Sequence, residues 1–178
     1  MSEFYFIEDL TEEDIHSGEV YVKSAKDRTQ LTGGRKTSIE EELDALMMYN
    51  QNPEVAEYFP EPQQAIRNKD EDLIAYTMEV VNTDTRIEYS LDNNPRALVE
   101  NAFSELEDVI TKIHKDSELP PHGDLIGNTF FEYGTPTIID PRGIPDSKTE
   151  EAEWERDDEW QLDWLRDSAL PDKENIMI

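Results

Sequence analysis

The sequence predicts an α+β fold: a small, largely antiparallel four-stranded sheet packed by one long amphipathic helix, with extended N- and C-terminal arms. Three observations carry this. The stretch after Asn94-Pro95 has a sustained helical apolar stripe, several short stretches alternate apolar with polar residues, and neither pattern reaches the two ends. The chain divides into an N-terminal arm (1–37), a helical connector (38–69), an α+β core (70–167) and a C-terminal tail (168–178).

In the arm, FYFI (4–7) and EVYVK (19–23) are short strand candidates, and LTGGRK (31–36) is a flexible turn region. A helix starts at Ser38. Ser38-Ile39-Glu40-Glu41 has capping-box form, in which the serine oxygen takes an orphan N–H and Glu41 reaches back. Ile39, Leu43, Leu46 and Met47 follow at helical spacing, and Asn50 to Pro53 ends the helix. PEVAEYF (53–59) adds a further turn, closed by Pro60 and Pro62.

LIAYTMEVV (73–81) has strand period, although the preceding KDED would also suit a helix start. RIEYSL (86–91) alternates again, with Ile87, Tyr89 and Leu91 on one face. Joined by NTDT (82–85), the two predict a hairpin. The next element is a helix with Asn94 as N-cap and Pro95 at its first position. Leu98, Val99, Ala102, Phe103, Leu106, Val109, Ile110 and Ile113 form its apolar stripe, and Lys112, His114 and Lys115 sit at the negative end of its dipole. LPPHGDLIG (119–127) is a loop. NTFFEYGTPTIID (128–140) is a strand in which Gly134 and Pro136 demand a bulge or an edge.

In EEAEWERDDEWQLDWLR (150–166), Ala152, Trp154, Arg156, Asp158, Trp160, Leu162 and Trp164 occupy even positions, while the odd positions from Glu151 to Asp163 are all polar. A helix would bring Trp160 and Trp164 together and leave Trp154 apart. The alternation predicts a strand or bulged hairpin with its indoles against the long helix, each indole worth about 4–6 kcal/mol gross.

Charge bounds the function. There are 43 Asp and Glu against 16 Lys and Arg, a net of -27, and only 36% of residues are hydrophobic. Self-repulsion of this size opposes folding unless salt screens it, tails carry it or a basic partner neutralises it. Direct binding to nucleic acid or to an anionic membrane is disfavoured in all three cases. No apolar run spans a bilayer, and MSEFYFIEDLTEED lacks the pattern of a secretory signal. Cysteine is absent, and His16, His114 and His122 have no ligand-like spacing, so no metal or cofactor is expected. GGRKTS (33–38) fails as a phosphate loop because Arg35 stands where a glycine is required. No nucleophile, base and orienter converge, so the chain is expected not to be an enzyme.

The aromatics point to contacts instead. Burial in the protein's own core is the preferred reading of Trp154, Trp160 and Trp164, and interface anchoring is the alternative. Phe4 and Phe6 in FYFI, with Ile176 and Ile178 in NIMI, make apolar tips on polar arms that either dock on a neighbouring subunit or stay disordered.

The acidic composition resembles that of proteins from salt-loving archaea and their viruses, with a viral or less GC-rich source fitting better because Lys equals Arg at eight each and Ile (14) exceeds Val (7). The layout of RIEYSL, Asn93-Asn94-Pro95, helix 95–115, FFEYGTPTIID and DDEWQLDWL is similar to that of tail-terminator and head–tail connector proteins of tailed viruses. That resemblance implies a virion structural protein, assembled in the host cytoplasm, that forms a homo-oligomeric ring in the neck or tail and contacts other virion proteins. The alternative expectation is an acidic inhibitor that mimics nucleic acid and occupies a basic groove on a partner.

Overall fold

The computed structural model describes residues 4–5, 20–24 and 37–171. Among these residues are six strands and three α-helices: β1 (Phe4–Tyr5), β2 (Val20–Ser24), α1 (Ile39–Gln51), β3 (Pro62–Arg67), β4 (Leu73–Glu79), α2 (Arg96–Lys115), β5 (Thr129–Glu132), β6 (Thr135–Ile138) and α3 (Lys148–Ala169). Two 3-10 helices, Ala56–Tyr58 and Ile87–Asp92, lie between them.

The α+β class is as expected, and the strand candidates 4–7, 19–23 and 73–81 all contribute strands, but they are joined by the unexpected β3 and not by the later segments. Antiparallel β3, β4 and β2 make its body, with Ala65 opposite Tyr76 and Val22 opposite Thr77. The two-residue β1 runs parallel along β3, Phe4 opposite Ala65, giving the order β1-β3-β4-β2. β5 and β6 form a separate antiparallel hairpin. The expected four-stranded sheet over the second half of the chain is therefore not formed.

The helix starts follow from local chemistry. At α1 the box is closed: Ser38 Oγ accepts from Glu41 N at 3.2 Å, and Glu41 Oε2 accepts from Ser38 N at 2.6 Å. At α2 the helix begins one residue later than the sequence signal, at Arg96 behind Pro95. Asn94 donates instead to Ser90 O at 2.8 Å, tying the preceding 3-10 helix to the start of α2. Val99, Ala102, Phe103, Leu106, Val109, Ile110 and Ile113 are buried as the stripe requires, while Leu98 stays exposed.

Three strand assignments are corrected. NTFFEYGTPTIID, expected as one strand, is the β5–β6 hairpin, turning at Tyr133 and Gly134. RIEYSL is 3-10 helix: Tyr89 N donates to Arg86 O at 3.0 Å, Ser90 Oγ donates to Ile87 O at 2.6 Å, and Ile87 and Ser90, three apart, are buried together. The tryptophan segment is α3. Ser147 caps it, accepting from Glu150 N at 3.2 Å, and Glu150 Oε2 accepts from Asp146 N at 2.6 Å. Trp154, Asp158, Gln161, Leu165 and Ala169 form its buried stripe at steps of four, three, four and four. The alternation set the indoles inward and the carboxylates toward solvent; instead Asp158 is buried, and of the three indoles only Trp154 is, while Trp160 and Trp164 are exposed.

One continuous apolar cluster runs from Ile39 on α1 to Ala169 at the end of α3. The segment 38–69, expected as a connector, contributes α1 and the inner strand β3 to this core. α1 packs on β3 and β4, while α2 packs on β6 and on α3. Tyr49 and Phe59 stack at 4.3 Å between ring centroids, and Tyr49 OH donates to Pro120 O at 2.7 Å.

The helical assignment makes the three tryptophans unequal. Trp154→Ala should cost about 3–5 kcal/mol in denaturant unfolding, because Trp154 is 2% exposed. Trp160→Ala should stay within about 0.5 kcal/mol, since Trp160 is 62% exposed. Equal losses at both positions would contradict this packing.

Candidate interaction surface on the C-terminal helix

The surface of α3 depends on how its inner face is held. Loop 119–127 is mostly buried, with Leu119, Pro120, Pro121, His122 and Gly123 all inside. A buried loop needs partners for its backbone. Pro120 and Pro121 bring no N–H. Asp158, fully buried, accepts from His122 N through Oδ2 at 2.9 Å and from Gly123 N through Oδ1 at 2.7 Å. Gln161 takes the next turn of the loop: its Oε1 accepts from Ile126 N at 2.9 Å and its Nε2 donates to Gly123 O at 3.3 Å. Arg142 N donates to His122 O at 3.0 Å.

The histidines complete the frame. His114, near the end of α2, places Nε2 3.0 Å from Asp158 Oδ2. His122 Nδ1 accepts from Asp124 N at 3.2 Å, so its proton sits on Nε2, which donates to Ile139 O at 2.9 Å. Burial opposes the charged form of His114, but the hydrogen bond and charge of Asp158, with Glu155 and Glu159 beyond it, outweigh that and raise its pKa above 6.5. Burial likewise raises the Asp124 carboxyl, against the pull of His122, Arg142 and Asn128. Arg142 adds an outer clamp, its Nη1 3.1 Å from Asp157 Oδ2 and its guanidinium carbon 5.2 Å from the Trp154 ring centroid. Gly123 has φ +78, and a Cβ there would lie 3.2 Å from Arg142 Cδ, so both its conformation and its neighbour favour glycine.

His114 and Asp158 have the form of a base and its orienter, but Asp158 is engaged by two backbone N–H groups. Among the described residues, no hydroxyl is hydrogen-bonded to His114. The arrangement works as a clamp that locks α3 onto α2 and the loop.

With that face fixed, the indoles separate. Trp154 is core. Trp160 and Trp164 lie one helical turn apart on an outer flank, 62% and 41% exposed. Of the other interface candidates, Phe4 is in β1, and Phe6, Ile176 and Ile178 lie outside the described residues. Lys148–Ala169 carries nine acids against three bases, so the exposed flank is apolar within an acidic field. The clamp residues His114, Asp158 and Gln161 were not singled out by the sequence reading. Their signal was polar residues standing at inward positions of an apolar stripe.

Among the described residues, no group of three or more His, Asp or Glu is placed to hold a metal ion. No helix there is long and apolar enough to cross a membrane. No protein-family model and no curated protein matches the chain.

The clamp yields two expectations. Asp158→Ala leaves three donors facing a void and should cost about 3–5 kcal/mol, read by urea unfolding at pH 6. The raised pKa of His114 means that its contribution is complete below about 6.5 and is lost as pH rises through the folded value. Thermal stability of the parent should therefore fall as pH rises from 6 toward 8, and His114→Gln should flatten that fall.

Proposed function

We propose that this chain is a non-enzymatic assembly subunit that meets neighbouring subunits through the Trp160–Trp164 flank of α3. The carrying observation is the exposure of two indoles, one turn apart, on a helix whose opposite face is immobilised by Asp158 and Gln161. Tryptophan on a rigid support loses little entropy on docking, and it is enriched among residues that dominate binding energy. The most specific form of this reading is the ring-forming adaptor in the neck or tail of a virus of a salt-loving host, with other virion proteins as further contacts. Two of the strands on which the resemblance to tail proteins rested, RIEYSL and DDEWQLDWL, are helical, so the support for that form is now the acidic composition and the exposed flank.

Acid around the flank sets the conditions. Two copies at net -27 repel each other in dilute buffer, and at 1 M salt the Debye length shrinks to about 3 Å. Light scattering should therefore find mass increasing with salt, and Trp160→Glu with Trp164→Glu should abolish the increase while leaving the circular dichroism unchanged. A monomer from low to molar salt at high protein concentration would defeat the reading.

One observation favours the acidic-mimic alternative. Glu159, Asp163 and Asp167 are exposed at successive i+4 positions, a row of carboxylates about 6 Å apart along the axis. A mimic would bind a basic partner more weakly as salt rises, opposite in sign to salt-promoted assembly.

A further inference from the structure

The cleft between the far end of β4 and the β5–β6 hairpin is unlike the α3 flank. It encloses about 550 Å³ and is lined by Tyr21, Met78, Arg86, Phe130, Ile139 and Asp140, among others. Its lining mixes apolar and aromatic side chains with polar and charged ones. Its two key charged groups are of opposite sign, and they form no ion pair with each other.

Each of these charges has a buried counter-charge behind it. Asp140 Oδ2 is 2.6 Å from the Nζ of Lys23, a residue only 7% exposed. Lys23 is backed in turn by Glu42 Oε1 at 3.7 Å, which also accepts from Tyr76 OH at 2.7 Å. Burial disfavours the Lys23 ammonium, but Glu42 and Asp140 outweigh it and raise its pKa, so it stays charged. Asp140 itself has φ +51, a left-handed conformation that costs a non-glycine residue energy.

On the other side, Arg86 is half-exposed, and its one charged neighbour among the described residues is Glu88, Nη1 to Oε1 at 4.0 Å. Glu88 is 6% exposed, and its Oε2 is buried without a hydrogen-bond partner. A buried carboxylate with an unsatisfied oxygen, held just out of contact with a guanidinium, is an expensive arrangement for stability alone. Together the pairs present a carboxylate and a guanidinium to one cleft that also holds apolar side chains, each oriented from behind, as in preorganised ligand sites. The remaining acid of the cleft, Glu79, turns its Oε1 to Glu61 N at 2.9 Å.

We propose that this cleft binds a small zwitterion with an apolar side chain, a free hydrophobic α-amino acid, its carboxylate on Arg86 and its ammonium on Asp140. Arg86 supplies a forked donor for the carboxylate, Asp140 accepts from the ammonium, and Tyr21, Met78, Phe130 and Ile139 cover the side chain. Lys23 and Glu88 are positioning residues.

The test is an amide NMR titration of the full chain with L-phenylalanine, and with N-acetyl-L-phenylalanine and L-phenylalanine amide as one-charge probes. The expected result is saturable shifts at Gly127, Asn128, Phe130 and Asp140, with each one-charge probe bound about tenfold or more weakly. Arg86→Gln and Asp140→Asn should weaken L-phenylalanine to a similar degree while the circular dichroism stays unchanged. Either of two results would overturn the proposal: no saturable shift in the cleft up to about 20 mM ligand, or equal binding of the capped and free amino acids. The α3 flank takes no part in this test.

Discussion

The constraint on which this architecture turns is the burial of a loop. Residues 119–123 run inside the protein, where every backbone N–H and C=O needs a partner. Asp158 takes two of the three N–H groups of that stretch with one side chain and joins them to His114. A buried carboxylate is tolerable only with this many donors. Its position then fixes the rotation of α3, because Trp154 one turn before and Leu165 two turns after must face the same way. The exposure of Trp160 and Trp164 follows from that rotation.

Charge is handled in two ways within the chain. Inside, it is matched: Lys23 with Asp140 and Glu42, and Asp158 with His114 and backbone amides. Outside, acid is spread along α3 and over the first turn of α1, where Glu40 and Glu41 suit the positive end of the helix dipole. The excess therefore acts on association and solubility more than on internal packing, and ionic strength becomes the variable that governs what this surface meets.

Two parts of the surface invite different partners for physical reasons. The α3 flank is convex, aromatic and ringed by acid, which suits a protein surface. The β4–β5–β6 cleft is concave, mixed in lining and cross-charged, which suits a small molecule. The two readings rest on different exposed side chains, and either can stand without the other.

The sequence by itself determined the elements whose causes lie within a turn or two of chain. The capping box at Ser38 and the stripe of α2 are local chemistry and formed close to where the pattern put them, and the break expected at Gly134, where φ is +93, falls there as a hairpin turn instead of a bulge. RIEYSL and the tryptophan segment were misread because their alternation is compatible with strand, while their true period emerges only when Ser90, Asp158 and Gln161 are counted as inward-facing. Polar residues count as inward only once their partners are known. Those partners are remote: His114 is 44 residues from Asp158, and the loop amides are 35 and 36 away. Tertiary structure alone decided which strands pair, that β3 rather than a C-terminal ribbon lies beside β4, and which tryptophans face water, because burial of a polar group is a property of the assembled neighbourhood and not of the residue.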